Sequence, residues 1–384
     1  MFYLSKPGRP RAHSTVQAGK LETQRDMYWR QRAHVNWLEK GDKNTKYFHS
    51  FASERRKNNR IKKLKKDNGE VAEGEVEMAA VITQYFKELF TSNAGRRTNE
   101  LLEQVVPWNT PSTNDMLLQE FTKDEIKTAL NSIGDLKAPG PDGMPAIFYK
   151  RYWELVGDQV TSEVLQVLNG GDIPPSWNDT CVALIPKVKN PERMIELRPI
   201  SLCNVVHKLV SKVLANRLKL ILQEIIAPNQ SAFVPGHLIM DNILLAYEVN
   251  HYMQNKRSGA VGYATLKLDM SKAYDRVEWQ LLEKMMRRMG FDERWIQLIM
   301  KCCASVKYRF KLNGSLTEEV IPGRGLRQGD PISPYMFLIC VEAFSSMLNQ
   351  ADQNGRLEGI KIFHGAPSFN HLLFADDSLI LLKD

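Results

Sequence analysis

Two adjacent aspartates interrupt an otherwise apolar segment near the C-terminus, and this feature constrains the fold more than any other. Residues 372–375 (LLFA) and 378–382 (SLILL) flank Asp376 and Asp377. Short apolar runs on both sides of a polar pair are typical of two strands joined by a tight turn. The sequence therefore predicts a β-hairpin that carries both carboxylates at its tip.

A third carboxylate stands at the end of another predicted strand. Residues 263–269 (YATLKLD) alternate apolar and polar side chains and end at Asp269. If the two strands are neighbours, their acids meet, and carboxylate oxygens are the ligands that Mg²⁺ prefers. Two such ions about 4 Å apart stabilise the attacking and leaving oxygens of a phosphoryl displacement. The alternative is that Asp376 and Asp377 only form a turn, which is the commoner role of acids there.

Length and composition indicate a folded chain of more than one domain. The chain has 384 residues, of which 43% are hydrophobic and 25% charged, as in ordinary globular proteins. Its five cysteines lack the spacing of zinc sites, which suits a reducing, intracellular compartment. The first residues are too charged for a signal peptide, and no apolar run is long enough to span a membrane.

Positive charge is concentrated in the N-terminal part of the chain. Residues 1–66 contain 18 Lys and Arg against 5 Asp and Glu, a net charge of +13 in a chain whose total is +8. Such a stretch can bind nucleic acid by neutralising phosphates, although a solvated face or a nuclear localisation patch remains the alternative. The candidate nucleic-acid-binding residues are Arg55, Arg56, Lys57, Arg60, Lys62, Lys63, Lys65 and Lys66.

Hydrophobic periodicity predicts alternating helices and strands, and therefore a mixed α/β fold. Residues 122–125 (TKDE) have the pattern of a capping box, and Asn313-Gly314 indicates a hairpin. Residues 1–110 are predicted to form a basic, mostly helical extension, and residues 91–116, which overlap its end, are predicted to be a linker. Helices are expected at 79–90, 147–168, 205–226, 279–289 and 335–348, and further strands at 181–186 and 306–312.

Seven motifs follow one another in an order that resembles a known family. They are residues 137–143 (KAPGPDG), 184–187 (LIPK), 198–202 (RPISL), 229–236 (NQSAFVPG), 268–275 (LDMSKAYD), 325–334 (GLRQGDPISP) and 374–377 (FADD). The region 117–384 resembles the reverse transcriptase of non-LTR (LINE-type) retrotransposons, of the kind abundant in plants. Residues 41–49 (GDKNTKYFH) resemble the segment that joins endonuclease and polymerase in such elements.

The resemblance implies a right-hand polymerase fold. Residues 117–260 would form the fingers and the start of the palm, and residues 261–384 a palm built on an antiparallel sheet backed by helices. The sequence ends seven residues after Asp377, so we expect the palm to be truncated before the thumb.

The resemblance also implies a metal site. Asp269, Asp376 and Asp377 would be the catalytic residues and would hold two Mg²⁺ ions, with help from the backbone carbonyl of Met270. These four residues are the predicted metal ligands.

Five further residues would bind the incoming nucleotide. Tyr274 would exclude a ribose 2′-hydroxyl and so select dNTPs, although an aromatic side chain there also suits a core position. Arg198 and Lys187 would bind the triphosphate, since a guanidinium matches phosphate oxygens well. Gln328 and Gly329 would support the nucleotide and the template.

The implied function is RNA-directed DNA polymerisation, in which a DNA primer is extended on an RNA template from dNTPs. The expected location is the nucleus, the cytoplasm or both, without membrane association, and no feature of the sequence indicates an oligomeric state. The alternative is a catalytically inactive transposon remnant that at most binds nucleic acid. A Mg²⁺ phosphohydrolase is disfavoured because the chain lacks a D-x-D-x-[TV] motif around its acids.

Overall fold

A computed structural model describes most of the chain. The described residues are 45–66, 68–93, 102–105, 107, 110–256, 262–363 and 365–383, with the backbone alone described for residues 45–49. Most of the predicted N-terminal extension lies outside the described residues, including residues 41–44 of the GDKNTKYFH segment (41–49).

Helices form most of the regular secondary structure of the described residues. They are Thr45–Asn58 (α1), Glu75–Leu89 (α2), Pro111–Leu117 (α3), Lys123–Ser132 (α4), Ala146–Arg151 (α5), Trp153–Leu168 (α6), Val205–Lys219 (α7), Leu222–Ile225 (α8), Ile239–Asn255 (α9), Trp279–Met289 (α10), Glu293–Ala304 (α11) and Ser333–Gln353 (α12). Short 3₁₀ turns occur at Pro175–Trp177, Met194–Glu196 and Tyr274–Arg276.

The described strands form three sheets. The strands are Lys63–Lys65 (β1), Val71–Glu73 (β2), Asp179–Pro186 (β3), Leu197–Cys203 (β4), Tyr263–Asp269 (β5), Lys307–Leu312 (β6), Ser315–Leu316 (β7), His371–Phe374 (β8) and Asp377–Lys383 (β9). β1 and β2 form a hairpin, the order β4-β3-β6-β7 forms a central sheet, and the order β5-β9-β8 forms a C-terminal sheet. All pairings are antiparallel except that of β3 with β6. The predicted mixed α/β class with antiparallel sheets is confirmed.

Local sequence signals account for several element boundaries. Thr122 and Glu125 form the predicted capping box at the start of α4. Gly290 ends α10 in the left-handed conformation with φ +90°. Asn313 and Gly314, with φ of +50° and +118°, form the turn between β6 and β7.

Two expected elements are subdivided, and one expected linker contains a helix. The expected helix 205–226 is interrupted at Leu220, and the turn places Ile221 and Ile225 in the core. Helix 147–168 is likewise divided at Tyr152. Helix α3 lies in the predicted linker except for its last residue, Leu117. Thr110 caps this helix by accepting a hydrogen bond from the backbone N–H of Thr113.

The larger hydrophobic core lies between the helices that follow residue 102. Helices α7, α10, α11 and α12 supply most of its side chains, with fully buried Trp295 as the largest. One end of this core contains Leu373 and Ala375 from the C-terminal hairpin. The hairpin that carries the adjacent aspartates is therefore anchored on the main core.

A second core joins the basic N-terminal region to the central sheet. Phe86 of α2 stacks on Phe310 of β6, with ring centroids 4.0 Å apart. Ile61 and Leu64 are buried in the same cluster. Side chains of residues 61–66 and 68–90 therefore pack on the central sheet. The predicted domain boundary near residue 110 stays a prediction.

Within the described ranges, no helix combines the length and the hydrophobicity that a bilayer crossing requires.

Candidate active site

The adjacent aspartates lie at the tip of a two-residue hairpin, as the sequence predicts. Phe374 is the register partner of Asp377, so Ala375 and Asp376 form the turn between β8 and β9. Ala375 is buried and has φ +52°, a conformation that residues other than glycine seldom adopt. This β8–β9 unit is called the acidic hairpin below.

Asp269 lies opposite the acidic hairpin. It is the register partner of Asp377 in the antiparallel pair of β5 and β9. Residues directly opposite in such a pair have Cα atoms roughly 4.5–5.5 Å apart and side chains on the same face. Strand pairing thus brings together acids that are 108 positions apart in the sequence.

The donor chemistry of this cluster fits a hard divalent cation. Asp269 and Asp377 share a face and Asp376 lies beside them in the turn, so three carboxylates occupy one end of the sheet. Within the described ranges, no group of three or more acidic, histidine or cysteine side chains is arranged to hold a metal ion. The match of Asp269, Asp376 and Asp377 to a divalent cation therefore rests on the strand register that brings them together and on their carboxylate oxygens.

A lysine also contacts this cluster. Nζ of Lys267 lies 3.5 Å from Oδ1 of Asp377, and both side chains are more than half exposed. An exposed pair of this kind contributes little free energy. Lys267 can therefore move away from Asp377 at small cost when a cation binds.

Tyr274 lies close to the acids. Its ring stacks on Phe337 of α12, with centroids 4.8 Å apart and planes 13° apart. Burial, reinforced by the nearby Asp376 carboxylate, raises the pKa of Tyr274 to about 12. The structure therefore gives Tyr274 both of the environments that its two interpretations require, a packed ring and proximity to Asp376 of the acidic hairpin.

The loop 325–330 is fixed to the segment that follows Asp269. Backbone N–H groups of Gly325 and Leu326 donate to the carbonyls of Val277 and Tyr274 at 2.8 and 2.7 Å. Gly325 has φ +100°, and a Cβ at this position would lie 2.9 Å from the carbonyl oxygen of Asp275. Only glycine permits this approach.

The predicted nucleotide-binding residues of this loop are held at the surface. The carbonyl of Gln328 accepts a hydrogen bond from the backbone N–H of Ser201 at 3.0 Å. Gly329 has φ +113° and lies against the carbonyl of Ser201. Both Gln328 and Gly329 are exposed, so they are accessible to a ligand.

A buried ion pair beneath this loop was missed by sequence reasoning. Nη2 of Arg327 lies 2.5 Å from Oδ2 of Asp330, 3.0 Å from Nε2 of His207 and 3.0 Å from the carbonyl of Cys302. The Arg327 guanidinium also donates to the side chain of Asn178. Burial would raise the pKa of Asp330, but Arg327 holds it below its usual range. Burial and Arg327 together lower the pKa of His207 to about 3, so this imidazole is neutral.

Three basic side chains lie at one edge of the central sheet, where β3 ends and β4 begins. Arg198 and Lys187 are exposed near the end of the β3–β4 pair. Lys272 has φ +56°, and its ammonium donates to the carbonyl of Leu197 at 3.1 Å. Burial lowers the pKa of Lys272, and burial raises the pKa of nearby Asp275 to about 6. Lys272 was not predicted, although its charge three positions after Asp269 was a visible signal.

The predicted nucleic-acid-binding residues occupy two different environments. Arg55, Arg56 and Lys57 form the basic end of α1. Lys63 and Lys65 instead pair with Glu192 at 2.9 and 2.6 Å, and their hydrogen bonds lower the pKa of Glu192 to about 2. Lys66 likewise pairs with Glu70, whereas no ion pair joins Arg60 or Lys62 to an acid of the described part. The uncompensated charge is therefore concentrated on α1 and the residues just after it.

Comparison with known proteins identifies the family of this chain. The family model described as reverse transcriptase (RNA-dependent DNA polymerase) matches residues 185–384, just over half of the chain. The match includes the acidic hairpin, Asp269 and the 325–334 loop.

Longer curated proteins are similar over most of the chain. The transposon TX1 uncharacterized 149 kDa protein of Xenopus laevis is 29% identical over 376 residues, which are 95% of this chain and 28% of that protein. A retrovirus-related Pol polyprotein from a type-1 retrotransposable element R2 of Popillia japonica is 28% identical over 69% of the chain and 35% of its own length. The probable RNA-directed DNA polymerase from transposon BS of Drosophila melanogaster is 23% identical over 71% of the chain and 30% of its own length. The chain thus spans about a third or less of the relatives described here.

Proposed function

The chain belongs to the reverse transcriptase (RNA-dependent DNA polymerase) family, and from this premise we propose that it is the polymerase region of a non-LTR retrotransposon protein. Its proposed reaction extends the 3′-hydroxyl of a DNA primer on an RNA template, with dNTPs as substrates. The register of Asp269 with Asp377 at the acidic hairpin is the observation that carries this proposal. The proposed site of action is inside the cell, in the nucleus, the cytoplasm or both.

The proposed catalytic residues are Asp269, Asp376 and Asp377. Reverse transcriptases generally use divalent metal ions, and two Mg²⁺ ions would be held by these carboxylates and the carbonyl of Met270. When bound, Mg²⁺ would offset negative charge at the α-phosphate of the dNTP and favour ionisation of the attacking 3′-hydroxyl. The carboxylates supply the oxygen ligands for this role at the ends of two rigid strands.

The other predicted residues would select and orient the nucleotide. In this proposal the Tyr274 ring, fixed against Phe337, blocks a ribose 2′-hydroxyl next to the acids. Arg198, Lys187 and the newly recognised Lys272 form a positive surface for the triphosphate. Their proximity to the segment after Asp269 supports this assignment.

The described elements would belong to two parts of a right-hand polymerase and to an extension. We propose that β3 and β4 belong to the fingers and the start of the palm (residues 117–260), that β6, β7, α12 and the C-terminal sheet belong to the palm (residues 261–384), and that α1 and α2 belong to the basic extension (residues 1–110). Gln328 and Gly329 would support the nucleotide and the template strand where fingers and palm meet. The carbonyl of Gln328 accepts a hydrogen bond from Ser201 of β4, which supports this placement.

Primer extension by the whole chain tests the proposal. We expect incorporation of dNTPs on an RNA template with an annealed DNA primer in the presence of Mg²⁺. Asp377→Asn should lower the rate on the order of a hundredfold or more, because it removes a ligand charge at the reacting centre. Its circular dichroism spectrum and melting temperature should be close to those of the unsubstituted chain.

Asp115→Asn is the matched control, because it makes the same charge change at an exposed position of α3. Its rate should equal that of the unsubstituted chain. Undiminished extension by Asp377→Asn would contradict the assignment of the acids. A folded chain that binds RNA but never extends a primer would instead support the inactive remnant.

A further inference from the structure

The turn of the acidic hairpin is held in an unfavourable backbone conformation. A positive φ at a residue other than glycine costs on the order of 1–3 kcal/mol and persists only where the surroundings impose it. Ala375 has φ +52° and is only 7% exposed. Some part of the fold must therefore fix this residue between Phe374 and Asp376.

The side chain of Gln230 makes the hydrogen bond that fixes the turn. Its Oε1 accepts from the backbone N–H of Ala375 at 3.0 Å and from that of Ala232 at 2.9 Å. Gln230 is 2% exposed. A single buried carboxamide oxygen therefore connects the segment around residue 231 with the turn formed by Ala375 and Asp376.

The backbone around Gln230 is itself fixed on the acidic hairpin. The N–H of Leu373 donates to the carbonyl of Asn229 at 2.8 Å, and the N–H of Ser231 donates to the carbonyl of Leu373 at 3.1 Å. Residue 230 forms a parallel bridge with residue 373. Gln230 therefore reaches Ala375 from a rigid base that lies alongside β8.

We propose that Gln230 is a positioning residue for the catalytic aspartates. Its carboxamide oxygen holds Ala375 in the left-handed conformation. It thereby sets the direction in which the side chains of Asp376 and Asp377 project from the hairpin. Because Gln230 is buried, it would act through Ala375 and not through contact with the substrate. The inference deepens the proposed polymerase function and rests on it for its effect on the reaction rate.

The chemistry of the site distinguishes this role from simple packing. Nε2 of Gln230 is buried and has no hydrogen-bond partner among the described residues. A buried amide donor without a partner is costly, so an apolar side chain of equal size would pack at least as well. What glutamine adds over such a side chain is the acceptor that Ala375 and Ala232 share.

Gln230→Met tests the role of the acceptor, because methionine is similar in length and lacks the carboxamide oxygen. We expect the amide hydrogen of Ala375 to exchange with deuterium about tenfold faster, since one protecting hydrogen bond is lost. We also expect kcat for primer extension to fall about tenfold or more, because small displacements of reacting groups reduce rates strongly. KM for the dNTP should change less than about twofold.

Ser231→Ala is the matched control on the adjacent residue. Its hydroxyl is buried without a partner among the described residues, and its backbone contact with Leu373 does not depend on the side chain. Exchange at Ala375 and kcat should both stay unchanged in this variant. If Gln230→Met does not fold, Gln230→Asn replaces it, because the shorter side chain cannot reach both amides.

A double-mutant cycle with Ala375→Gly separates the turn from other effects of residue 230. Glycine adopts a positive φ without the penalty of a Cβ, so the turn depends less on Gln230. The loss of kcat caused by Gln230→Met should therefore be several-fold smaller in the Ala375→Gly background. Equal losses in both backgrounds would overturn the proposed role.

Hydrogen exchange at Ala375 and the rate of primer extension distinguish failure of the positioning role from failure of the proposed function. Unchanged exchange at Ala375 in Gln230→Met overturns the positioning role whether or not the chain polymerises. If the unsubstituted chain extends no primer while Gln230→Met exchanges faster, the proposed function fails and the contact between Gln230 and the turn is upheld.

Discussion

Replacement of Arg327 by methionine should destabilise the protein because it leaves a buried carboxylate without its counter-charge. The Arg327 and Asp330 side chains are 4% and 1% exposed, and their closest atoms are 2.5 Å apart. Removing one partner of such a pair typically costs about 3–5 kcal/mol. The loss of the hydrogen bond to the carbonyl of Cys302 adds to this. We therefore expect Arg327→Met to lower the free energy of unfolding by about 4 kcal/mol at pH 7.

The penalty should depend on pH in a defined direction. In the unsubstituted chain the lowered pKa of Asp330 contributes stability above the unfolded pKa, which is lost as pH falls through the folded value. Without Arg327, burial alone raises the pKa of Asp330, so the penalty grows as pH rises above the unfolded value. His207 lies 3.8 Å from Asp330 and becomes easier to protonate in acid once Arg327 is removed. The destabilisation should thus be smaller at pH 5 than at pH 7.

Equilibrium denaturation by urea at both pH values measures these differences. The double variant Arg327→Met/Asp330→Asn should regain about 2 kcal/mol of the loss at pH 7, because it removes the isolated charge. Arg309→Met is the matched control at a side chain that is 57% exposed, and it should change stability by less than about 0.5 kcal/mol. A cost below about 1 kcal/mol for Arg327→Met, or no recovery in the double variant, would refute this reasoning.

Three further predictions test the nucleotide site, a buried acid and the basic helix. Tyr274→Val should raise the ratio of ribonucleotide to deoxyribonucleotide incorporation in primer extension, and unchanged sugar selectivity would remove Tyr274 as the gate. Burial raises the pKa of Glu342 from 4.5 to about 7, so the folded state loses stability as pH rises through that range. Glu342→Gln should therefore be more stable by up to about 3 kcal/mol in urea denaturation at pH 8, with little gain at pH 4.5. An equal gain at both pH values would contradict the raised pKa of Glu342. Replacing Arg55, Arg56 and Lys57 by glutamine should lower the slope of RNA affinity against salt concentration, and an unaltered slope would indicate a solvated face.

Substitution of Arg55, Arg56 and Lys57 differs from the experiment that the sequence alone would suggest. The sequence would suggest deletion of the whole run of basic residues from 55 to 66. The structure buries Ile61 and Leu64 of this run in the second core, and it pairs Lys63 and Lys65 with Glu192. Deletion would therefore disturb folding, whereas substitution on α1 changes charge alone.

Local patterns predicted the elements whose determinants lie within a few residues. The alternation up to Asp269, the apolar flanks of Asp376 and the glycine at 290 each specify a strand, a hairpin or a helix end. Ordered motifs predicted the family, which the comparison confirms. Helix α3 was missed even though Thr110 and Pro111 form a cap, because the surrounding polar residues resemble a linker.

Strand register, burial and long-range contacts were decided by the tertiary structure alone. No local pattern states that Asp269 faces Asp377 across 108 positions, because register depends on how two distant strands share one core face. The same holds for the contact of Gln230 with Ala375, 145 positions later, and for the charge of Arg327 beneath its loop. The sequence by itself determined which acids, turns and helices exist; packing decided which of them meet, because the free energy of a buried contact depends on its surroundings rather than on its neighbours along the chain.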